Sequence, residues 1–173
     1  MNLNYGEGFT IRLAANEEGS KIIKLLKQTA QWIKDNEINQ WRFLLEGNQD
    51  EEIKQDIFNE KTYIVMKDNE IVATFTLLSK QSEWDRNIWG DDPASKSVYL
   101  HRLAVTSSYM KRGMGKSILD WVQNNVGGTE YLKLDCVAGN KKLNNFYKNN
   151  AFELVGLTDG HNKYQKLIKK WTE

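Results

Sequence analysis

The stretch "LHRLAVTSSYMKRGMGKSIL", residues 100–119, runs from the end of an apolar strand through a glycine-containing basic loop into a helix. Its last part matches the tail of a Walker A nucleotide loop, G-x-x-x-x-G-K-[ST], through Gly115, Lys116 and Ser117. The first glycine of that motif would stand at position 110, which is Met110. Because this glycine makes the tight turn around the phosphate, the sequence argues against a P-loop kinase or ATPase.

The same loop remains suited to an anion. Gly113 and Gly115 let the backbone approach a ligand closely, and a helix N-terminus presents free N–H groups at the positive end of its dipole. Lys111, Arg112 and Lys116 add positive charge. These features predict a site for a pyrophosphate-like group that needs no metal ligand, and the alternative is a glycine turn with solvated lysines. We call this segment the basic loop; it consists of Met110, Lys111, Arg112, Gly113, Met114, Gly115, Lys116 and Ser117.

Composition limits the class of protein. The chain has 173 residues, a formal net charge of +1, one proline and one cysteine. Its length predicts a single domain over residues 1–173, and its charge argues against a nucleic-acid partner. The first residues lack the pattern of a signal peptide, and no apolar run is long enough for a membrane span. We therefore expect a soluble cytoplasmic protein with no membrane partner.

Hydrophobic periodicity predicts an α+β (mixed α/β) fold, with helices against a largely antiparallel sheet and one later parallel strand–helix–strand unit. The final strand is predicted to lie at the sheet edge, where it could pair two copies as a homodimer. Ser79–Lys96 is predicted to be a long surface loop. The predicted strands cover 9–14, 62–67, 71–78, 97–105, 131–137, 152–158 and 164–171, and the predicted helices cover 20–36, 50–58, 115–125 and 140–149.

Two blocks together resemble the GNAT acetyltransferase superfamily. The first is the stretch quoted above, which is similar to the signature [QR]-x-x-G-x-[GA] after an apolar strand end. The second, "LDCVAGNKKLNNFYKNNAFELVG" (134–156), resembles the family's block in which an Asn starts a helix that carries Phe-Tyr. The blocks cover roughly residues 97–158 in the expected order. The chain departs from the signature at Met110, where the family has Gln or Arg, and at Lys111, often glycine.

The resemblance implies a GNAT-like fold with a splayed central sheet, and an enzyme that transfers an acetyl group from acetyl-CoA directly to an amine, releasing CoA without a metal. It implies that the backbone of Leu103, Ala104 and Val105 pairs with the pantetheine arm. The strand around Leu134 to Val137 is expected to splay away and admit the cofactor, and the basic loop is expected to hold its pyrophosphate. Lys111 and Arg112 can replace the charge that Met110 lacks.

The second block suggests residues for acid catalysis and cofactor binding. Tyr147 matches the family's general acid, and a phenol can protonate a thiolate without carrying a resting charge. Asn140 stands seven residues earlier, two helical turns away, where it can cap the helix and also hold a pantetheine amide. The structural alternative is that Phe146 and Tyr147 are core aromatics.

His101 is the predicted general base. Regular alternation along the strand puts it on one face with Tyr99, Leu103 and Val105, and the resemblance implies that several amine-acetylating members carry a His or Glu there. The alternatives are a structural histidine, a water, or a carboxylate of the 79–96 segment, Glu83 or Asp85.

Other reactive or aromatic side chains have less specific roles. Cys136 is predicted to be a small buried hydrophobe rather than a carrier of acetyl groups, and His161 to lie on the surface in a hairpin turn. Trp32 is predicted to be core or a groove wall. Trp84 and Trp89 are predicted either to cover the acceptor or to anchor their loop.

The sequence thus predicts an N-acetyltransferase for a primary amine of a small molecule. Two alternatives remain open. One is an acetyltransferase for a peptide or protein amine, at an N-terminus or a lysine. The other is a CoA-binding regulatory module without turnover.

Overall fold

The structure is a computed structural model that describes residues 8–36, 38, 41, 45 and 47–168. Short 3-10 turns occupy Asn16–Glu18 and Ser107–Tyr109. The helices are α1 (Gly19–Asp35), α2 (Asp50–Phe58), α3 (Glu83–Trp89), α4 (Met114–Asn125) and α5 (Lys141–Asn149). The strands are β1 (Phe9–Leu13), β2 (Thr62–Lys67), β3 (Glu70–Leu78), β4 (Ser97–Val105), β5 (Tyr131–Val137), β6 (Glu153–Thr158) and β7 (His161–Leu167).

The strands form one mixed sheet in the order β1-β2-β3-β4-β5-β7-β6. β4 and β5 are its parallel pair, and β1–β2, β2–β3, β5–β7 and β6–β7 are antiparallel. The predicted fold class, a largely antiparallel mixed sheet flanked by helices, is therefore confirmed. No helix of the described residues is long and apolar enough to cross a membrane.

Contacts group the described residues into two compact units, one from Met1–Leu77 with Arg102–Trp121 and the other from Leu78–His101 with Val122–Glu173. In the first unit, apolar residues three and four apart put one stripe of α1 into a core with α2. Ile22, Leu26 and Ile53 are almost fully buried there. The β2–β3 hairpin turns at Asp68 and Asn69, which both have positive φ, 49° and 66°, as a tight two-residue turn requires.

The strand order in the second unit overturns one expectation. β7 is hydrogen-bonded to β5 on one side and to β6 on the other, so the predicted edge strand is internal and β6 is the edge. Residues 169–171 of that prediction lie outside the described residues. Strand order follows from long-range pairing, which no local pattern encodes. A homodimer through β7 therefore has no free strand edge to use along the described part of that strand.

The segment Ser79–Lys96 is not a loop throughout, because it contains α3. The Ser82 hydroxyl accepts from Asp85 N–H at 3.1 Å, and the Asp85 carboxylate accepts from Ser82 N–H at 3.0 Å. These reciprocal bonds form a capping box, and Gly90, with φ 81°, ends the helix. The signal was present as Ser-x-x-Asp before an apolar position, but seven residues are too few to give a clear period.

β5 leaves β4 after a short contact. The parallel pairing joins Ser97–Tyr99 to Tyr131–Lys133. The pairing of β5 with β7, on its other side, continues over its whole length from Tyr131 to Val137. The expected splay of β5 around Leu134–Val137 is confirmed.

Candidate active site

The basic loop belongs to the first unit and leads directly into α4. Met110 is extended, with φ −63° and ψ 148°, whereas Lys111 and Gly113 have positive φ of 59° and 83°. The Ser117 N–H donates to the Gly113 carbonyl at 3.1 Å. The backbone N–H groups before Ser117, from Met114 onward, belong to the first turn of the helix. An N–H group in a first turn has no helical carbonyl four residues earlier to bond with. This geometry matches the predicted anion site, because the amides and the positive end of the dipole lie at the loop.

The charges of the basic loop are only partly neutralised. Lys111 and Arg112 are exposed. Arg112 donates to the Ser108 carbonyl at 3.2 Å, and its guanidinium lies 5.2 Å from the Tyr109 ring centroid. Lys116 forms an exposed ion pair with Asp120 at 2.9 Å, one helical turn away. Such a pair contributes about 0.3–0.5 kcal/mol, so an incoming anion can compete for this lysine.

Met110, the first residue of the basic loop, lines a cleft. A cleft of about 270 Å³ lies within the first unit beside α1. Trp32 is half-buried and forms part of its wall, as predicted. Six of its lining residues are Gln28, Trp32, Asp35, Thr106, Ser107 and Met110. The side chain at the signature's Gln/Arg position is therefore apolar and carries no charge of its own.

Asn140 begins α5 in the second unit as an N-cap. Its side-chain oxygen accepts from Leu143 N–H at 3.1 Å, which bears out the capping part of its predicted role. Asn144, four residues on, was missed by sequence reasoning. Its amide donates to the Val137 carbonyl at 3.1 Å, and its oxygen accepts from Tyr164 O–H at 2.6 Å. An asparagine inside an amphipathic helix, on the face of Asn140 and Tyr147, was the available signal.

The Tyr147 ring packs against other aromatic rings, and its hydroxyl group is the polar part of the side chain. It is 5% exposed and contacts the rings of Phe146, Phe152 and Tyr164 at centroid distances of 5.2, 5.6 and 5.8 Å. Among the described residues, its hydroxyl has no hydrogen-bond partner. Burial raises the pKa of Tyr147 well above its ordinary value, and Cys136 adds to that shift. The side chain is therefore a neutral phenol with a proton to donate.

Cys136 is confirmed as a buried hydrophobe. It is 1% exposed, and burial, reinforced by Asp135, raises the pKa of its thiol to about 12. A thiol with this pKa holds almost no thiolate at neutral pH, and the thiolate is the nucleophilic form. An acetyl-cysteine intermediate is thus disfavoured on chemical grounds.

His101 is paired with one of its rival bases. Its Nε2 atom lies 2.9 Å from Oδ1 and 3.1 Å from Oδ2 of Asp85, and only the Oδ2 contact has hydrogen-bond alignment. The Asp85 side chain is 1% exposed, and that of His101 is 18% exposed. Asp85 is therefore a buried partner of the histidine rather than a loop carboxylate, whereas Glu83 is exposed at the first turn of α3.

The regular alternation expected along β4 does not hold past His101. Arg102 has φ 51°, a left-handed conformation that interrupts the extended strand. Its guanidinium forms ion pairs with Asp56 at 2.7 Å and with Glu52 at 3.1 Å. The prediction that Tyr99, His101, Leu103 and Val105 share one face by period two was therefore wrong, because a single positive φ resets the alternation.

His161 is not in the turn but begins β7, where its side chain is 24% exposed. Its Nδ1 lies 3.1 Å from Asp135 Oδ2, without the alignment of a hydrogen bond. The ring meets Trp84 edge-on at 4.9 Å, and the Trp84 N–H donates to both Asp135 oxygens at 3.1 and 3.2 Å. The surface prediction for His161 was wrong, because α3 covers it.

Trp89 is the second anchor of α3. The ammonium groups of Lys133 and Lys163 lie 4.8 and 5.7 Å from its ring centroid, and Tyr99 meets it edge-on at 6.3 Å. Burial lowers the pKa of Lys133, a shift that Asp92 opposes. Of the two roles predicted for Trp84 and Trp89, their contacts match that of anchors.

Comparisons with known proteins agree with this geometry. The sequence profile of the Acetyltransferase (GNAT) family matches residues 24–152. A protein of Bacillus subtilis (strain 168), "Uncharacterized N-acetyltransferase YesJ", is 36% identical over 170 residues, which cover 96% of this chain and 94% of that protein.

Solved structures show the same fold. A GNAT-family acetyltransferase from Listeria monocytogenes 4b F2365 superposes with a TM-score of 0.81 at 26% identity, over 92% of this chain and 94% of that one. The PaiA N-acetyltransferase from Thermoplasma acidophilum, in complex with coenzyme A, gives a TM-score of 0.73 over 92% of this chain and 98% of its own. At 15% identity, the second similarity concerns the fold alone.

Proposed function

Because this chain belongs to the GNAT acetyltransferase family and is an acyltransferase, we propose that it transfers an acetyl group from acetyl-CoA to a primary amine of a small molecule. The main observation in favour of acetyl-CoA as the donor is the geometry of the basic loop. This loop joins a positive-φ turn at Lys111 and Gly113 to the first turn of α4, where helix amides lie at the positive end of the dipole. Pyrophosphate is a diffuse dianion that such amides bind without a metal.

The cofactor's remaining contacts follow from the backbone and from α5. In this proposal the main chain of Leu103, Ala104 and Val105 binds the pantetheine arm. Asn140 contributes its side-chain amide while it caps α5 through Leu143. The splay of β5 after Lys133 supports the proposal, since the pairing with β4 ends there while the pairing with β7 continues to Val137.

The reaction needs one proton acceptor and one proton donor. His101 takes a proton from the acceptor's ammonium, and the resulting amine attacks the thioester carbonyl. The C–N bond forms and the C–S bond breaks. The CoA thiolate takes the proton of Tyr147, and the second proton of the acylated nitrogen returns the Tyr147 phenolate to the phenol. Burial raises the pKa of Tyr147, so the phenol carries its proton at rest. Each proton transfer typically contributes about 10²–10⁴-fold to the rate.

The docking of α3 supports a small acceptor over an extended peptide. A peptide substrate would need an open groove along the 79–96 segment. Instead Trp84 bonds Asp135, and the Asn87 amide donates to Asp159 at 2.9 Å, so α3 closes over β5 and the β6–β7 turn. The contacts of this segment therefore favour an acceptor that needs no long groove.

Calorimetry with CoA and acetyl-CoA tests the donor. We expect binding by the native chain and at least about tenfold weaker binding by the double variant Lys111→Ala/Arg112→Ala, with a reduced salt dependence. Lys141→Ala, an exposed lysine outside the basic loop, is the matched control. No binding at millimolar cofactor would refute the proposal.

A thiol-release screen tests the acceptor. Small primary amines and peptides with a free N-terminus or a lysine are compared at equal concentration. Release of CoA with small amines supports the proposal, and release with peptides alone makes the chain a peptide acetyltransferase. Cofactor binding with no release across the panel makes it a CoA-binding module.

A further inference from the structure

Hydrogen bonds at the start of α3 fix the Asp85 carboxylate that contacts His101. Oδ2 of Asp85 accepts from the Ser82 N–H and from the Ser82 hydroxyl, each at 3.0 Å, and also faces His101 Nε2. The Ser82 hydroxyl in turn accepts from Asp85 N–H at 3.1 Å. The carboxylate is thus fixed at the start of α3, because rotating it would break the capping box.

The Asp85–His101 contact is one of two contacts between α3 and β4 that have the same spacing on both elements. His101 and Tyr99 are two residues apart on β4, and they meet Asp85 and Trp89, which are four residues apart on α3. Two residues of strand span about 6.7 Å and four residues of helix about 6 Å. The two contacts therefore have the same spacing along the strand and along the helix.

Other charged groups on the neighbouring elements are engaged elsewhere. Lys133 of β5 lies over the rings of Trp89 and Tyr99, and Asp135 bonds Trp84. Arg86 of α3 donates to the Gln81 carbonyl at 3.1 Å. Among the described residues, Asp85 is the ionised group in contact with the His101 ring.

This arrangement selects the tautomer of His101. A carboxylate only accepts hydrogen bonds, so Nε2 must carry the proton of the neutral ring. The lone pair is then on Nδ1, which has no hydrogen-bond partner within the described part of the chain. The ring is 18% exposed, so this nitrogen can be reached by a proton donor.

We propose that Asp85 is a positioning residue that holds His101 with its proton on Nε2, so that Nδ1 accepts the proton of the acceptor's ammonium. The inference rests on the proposed function. The ammonium loses one proton and becomes the nucleophilic amine, and the ring becomes an imidazolium. That cation keeps its Nε2–H bond to the Asp85 carboxylate, which opposes its new positive charge. Asp85 itself touches no substrate.

Asp85→Asn is the discriminating variant. The Ser82 N–H needs an acceptor, so the amide oxygen takes the place of Oδ2. That oxygen still accepts from Nε2–H, because Oδ2 is the atom aligned with the ring. The cap and the Nε2–H tautomer therefore survive, and the variant loses only the negative charge that opposes the charge of the imidazolium.

Long-range ¹H–¹⁵N spectra of the free protein read the tautomer directly. The chain has two histidines, so a His161→Gln spectrum assigns them. We expect an Nε2–H ring in the native chain and in Asp85→Asn. An Nδ1–H ring in the native chain would overturn the inference. This readout needs no turnover, so a chain inactive towards every amine would refute the proposed function and leave this test intact.

Kinetics give the second readout. We expect Asp85→Asn to lower kcat at least about tenfold with little change in the KM for acetyl-CoA, and to alter the pH profile. Asp91→Asn, an exposed carboxylate of the same segment, should match the native chain. Ser82→Ala should lower the free energy of unfolding by about 1 kcal/mol and keep the Nε2–H tautomer. An Asp85→Asn chain that loses stability but keeps the native pH profile would make Asp85 a helix cap alone.

Discussion

The indole N–H of Trp84 donates to both carboxylate oxygens of Asp135, at 3.1 and 3.2 Å, and so joins α3 to β5. Trp84 is 42% exposed, so its ring is not held by burial alone. The bond, with the edge-on contact to His161, explains why a polar segment of the sequence forms a docked helix.

Trp84→Phe is expected to weaken this docking. The variant keeps an aromatic ring but loses the donor. A net loss of about 1.5 kcal/mol in the free energy of unfolding follows, the lower end for a hydrogen bond to a charged acceptor, because Trp84 is exposed. Urea unfolding measures it. Phe58→Leu, at an exposed aromatic on α2, should change little. An unchanged midpoint for Trp84→Phe would mean that the bond does not contribute to docking.

Tyr147→Phe tests the proton donor. We expect kcat to fall at least about tenfold while the Kd for acetyl-CoA stays within about twofold, because only the hydroxyl is lost from a packed ring. Tyr164→Phe is the matched control, since it removes a buried hydroxyl that bonds Asn144 at 2.6 Å. That control should lose stability and keep its rate per folded molecule. Equal rates for Tyr147→Phe and the native chain would return Tyr147 to the aromatic core.

His101→Gln tests the proton acceptor through the pH profile. A base works only when unprotonated, so the native rate should fall at acidic pH. The variant should be slower and lose that limb. His161→Gln should keep it, because His161 contacts Asp135 and Trp84 instead. A limb that survives in His101→Gln would assign the base to water or to another carboxylate.

Lys111→Gly should stabilise the basic loop and weaken cofactor binding. A non-glycine residue at φ 59° costs about 1–2 kcal/mol, and the extra chain entropy of glycine costs about 0.5–1 kcal/mol. The expected gain in unfolding free energy is therefore about 0.5–1 kcal/mol. Lys111→Ala loses the same charge without that gain, so comparing the two variants in urea unfolding and CoA titration separates strain from charge. A less stable glycine variant would contradict the strain argument.

The thiol of Cys136 should make stability fall at alkaline pH. Burial raises its pKa from 9.0 to about 12, so the folded chain keeps a proton that the unfolded chain releases. The contribution of the protonated thiol to the free energy of unfolding is fully present below about pH 9. It declines towards pH 12, by at most about 1.4 kcal/mol per pH unit. Cys136→Ala should flatten this decline in urea titrations from pH 8 to 10.5. A decline as steep as the native one would assign it to Tyr147 and other groups.

Local pattern was enough for most elements. The three-and-four spacing of Ile22 and Leu26 places α1, and Asp68-Asn69 places the β2–β3 turn, because helix periodicity and turn chemistry depend on near neighbours. The helix α3 was missed although its Ser-x-x-Asp cap is local, since seven residues are stabilised by docking rather than by propensity.

The candidate site divides in the same way. The sequence was enough to predict the basic loop and the Asn140–Tyr147 helix, from their residue types and spacing. This is because backbone amides and a helix cap act within a few residues of each other. The partner of His101 could not be predicted in this way, since Asp85 is 16 residues away and reaches it only when α3 docks. Nor could the positive φ of Arg102, where the ion pairs with α2 are available only in the folded chain.

By itself, then, the sequence determined the family, the donor loop and the order of elements along the chain, all of which rest on short-range periodicity, turn chemistry and motif spacing. The tertiary structure alone decided that β7 is internal, that the 79–96 segment is a docked helix, and that His101 faces a buried carboxylate. Those features depend on contacts between residues far apart in the chain. Their free energy comes from burial and hydrogen bonding that no local window contains.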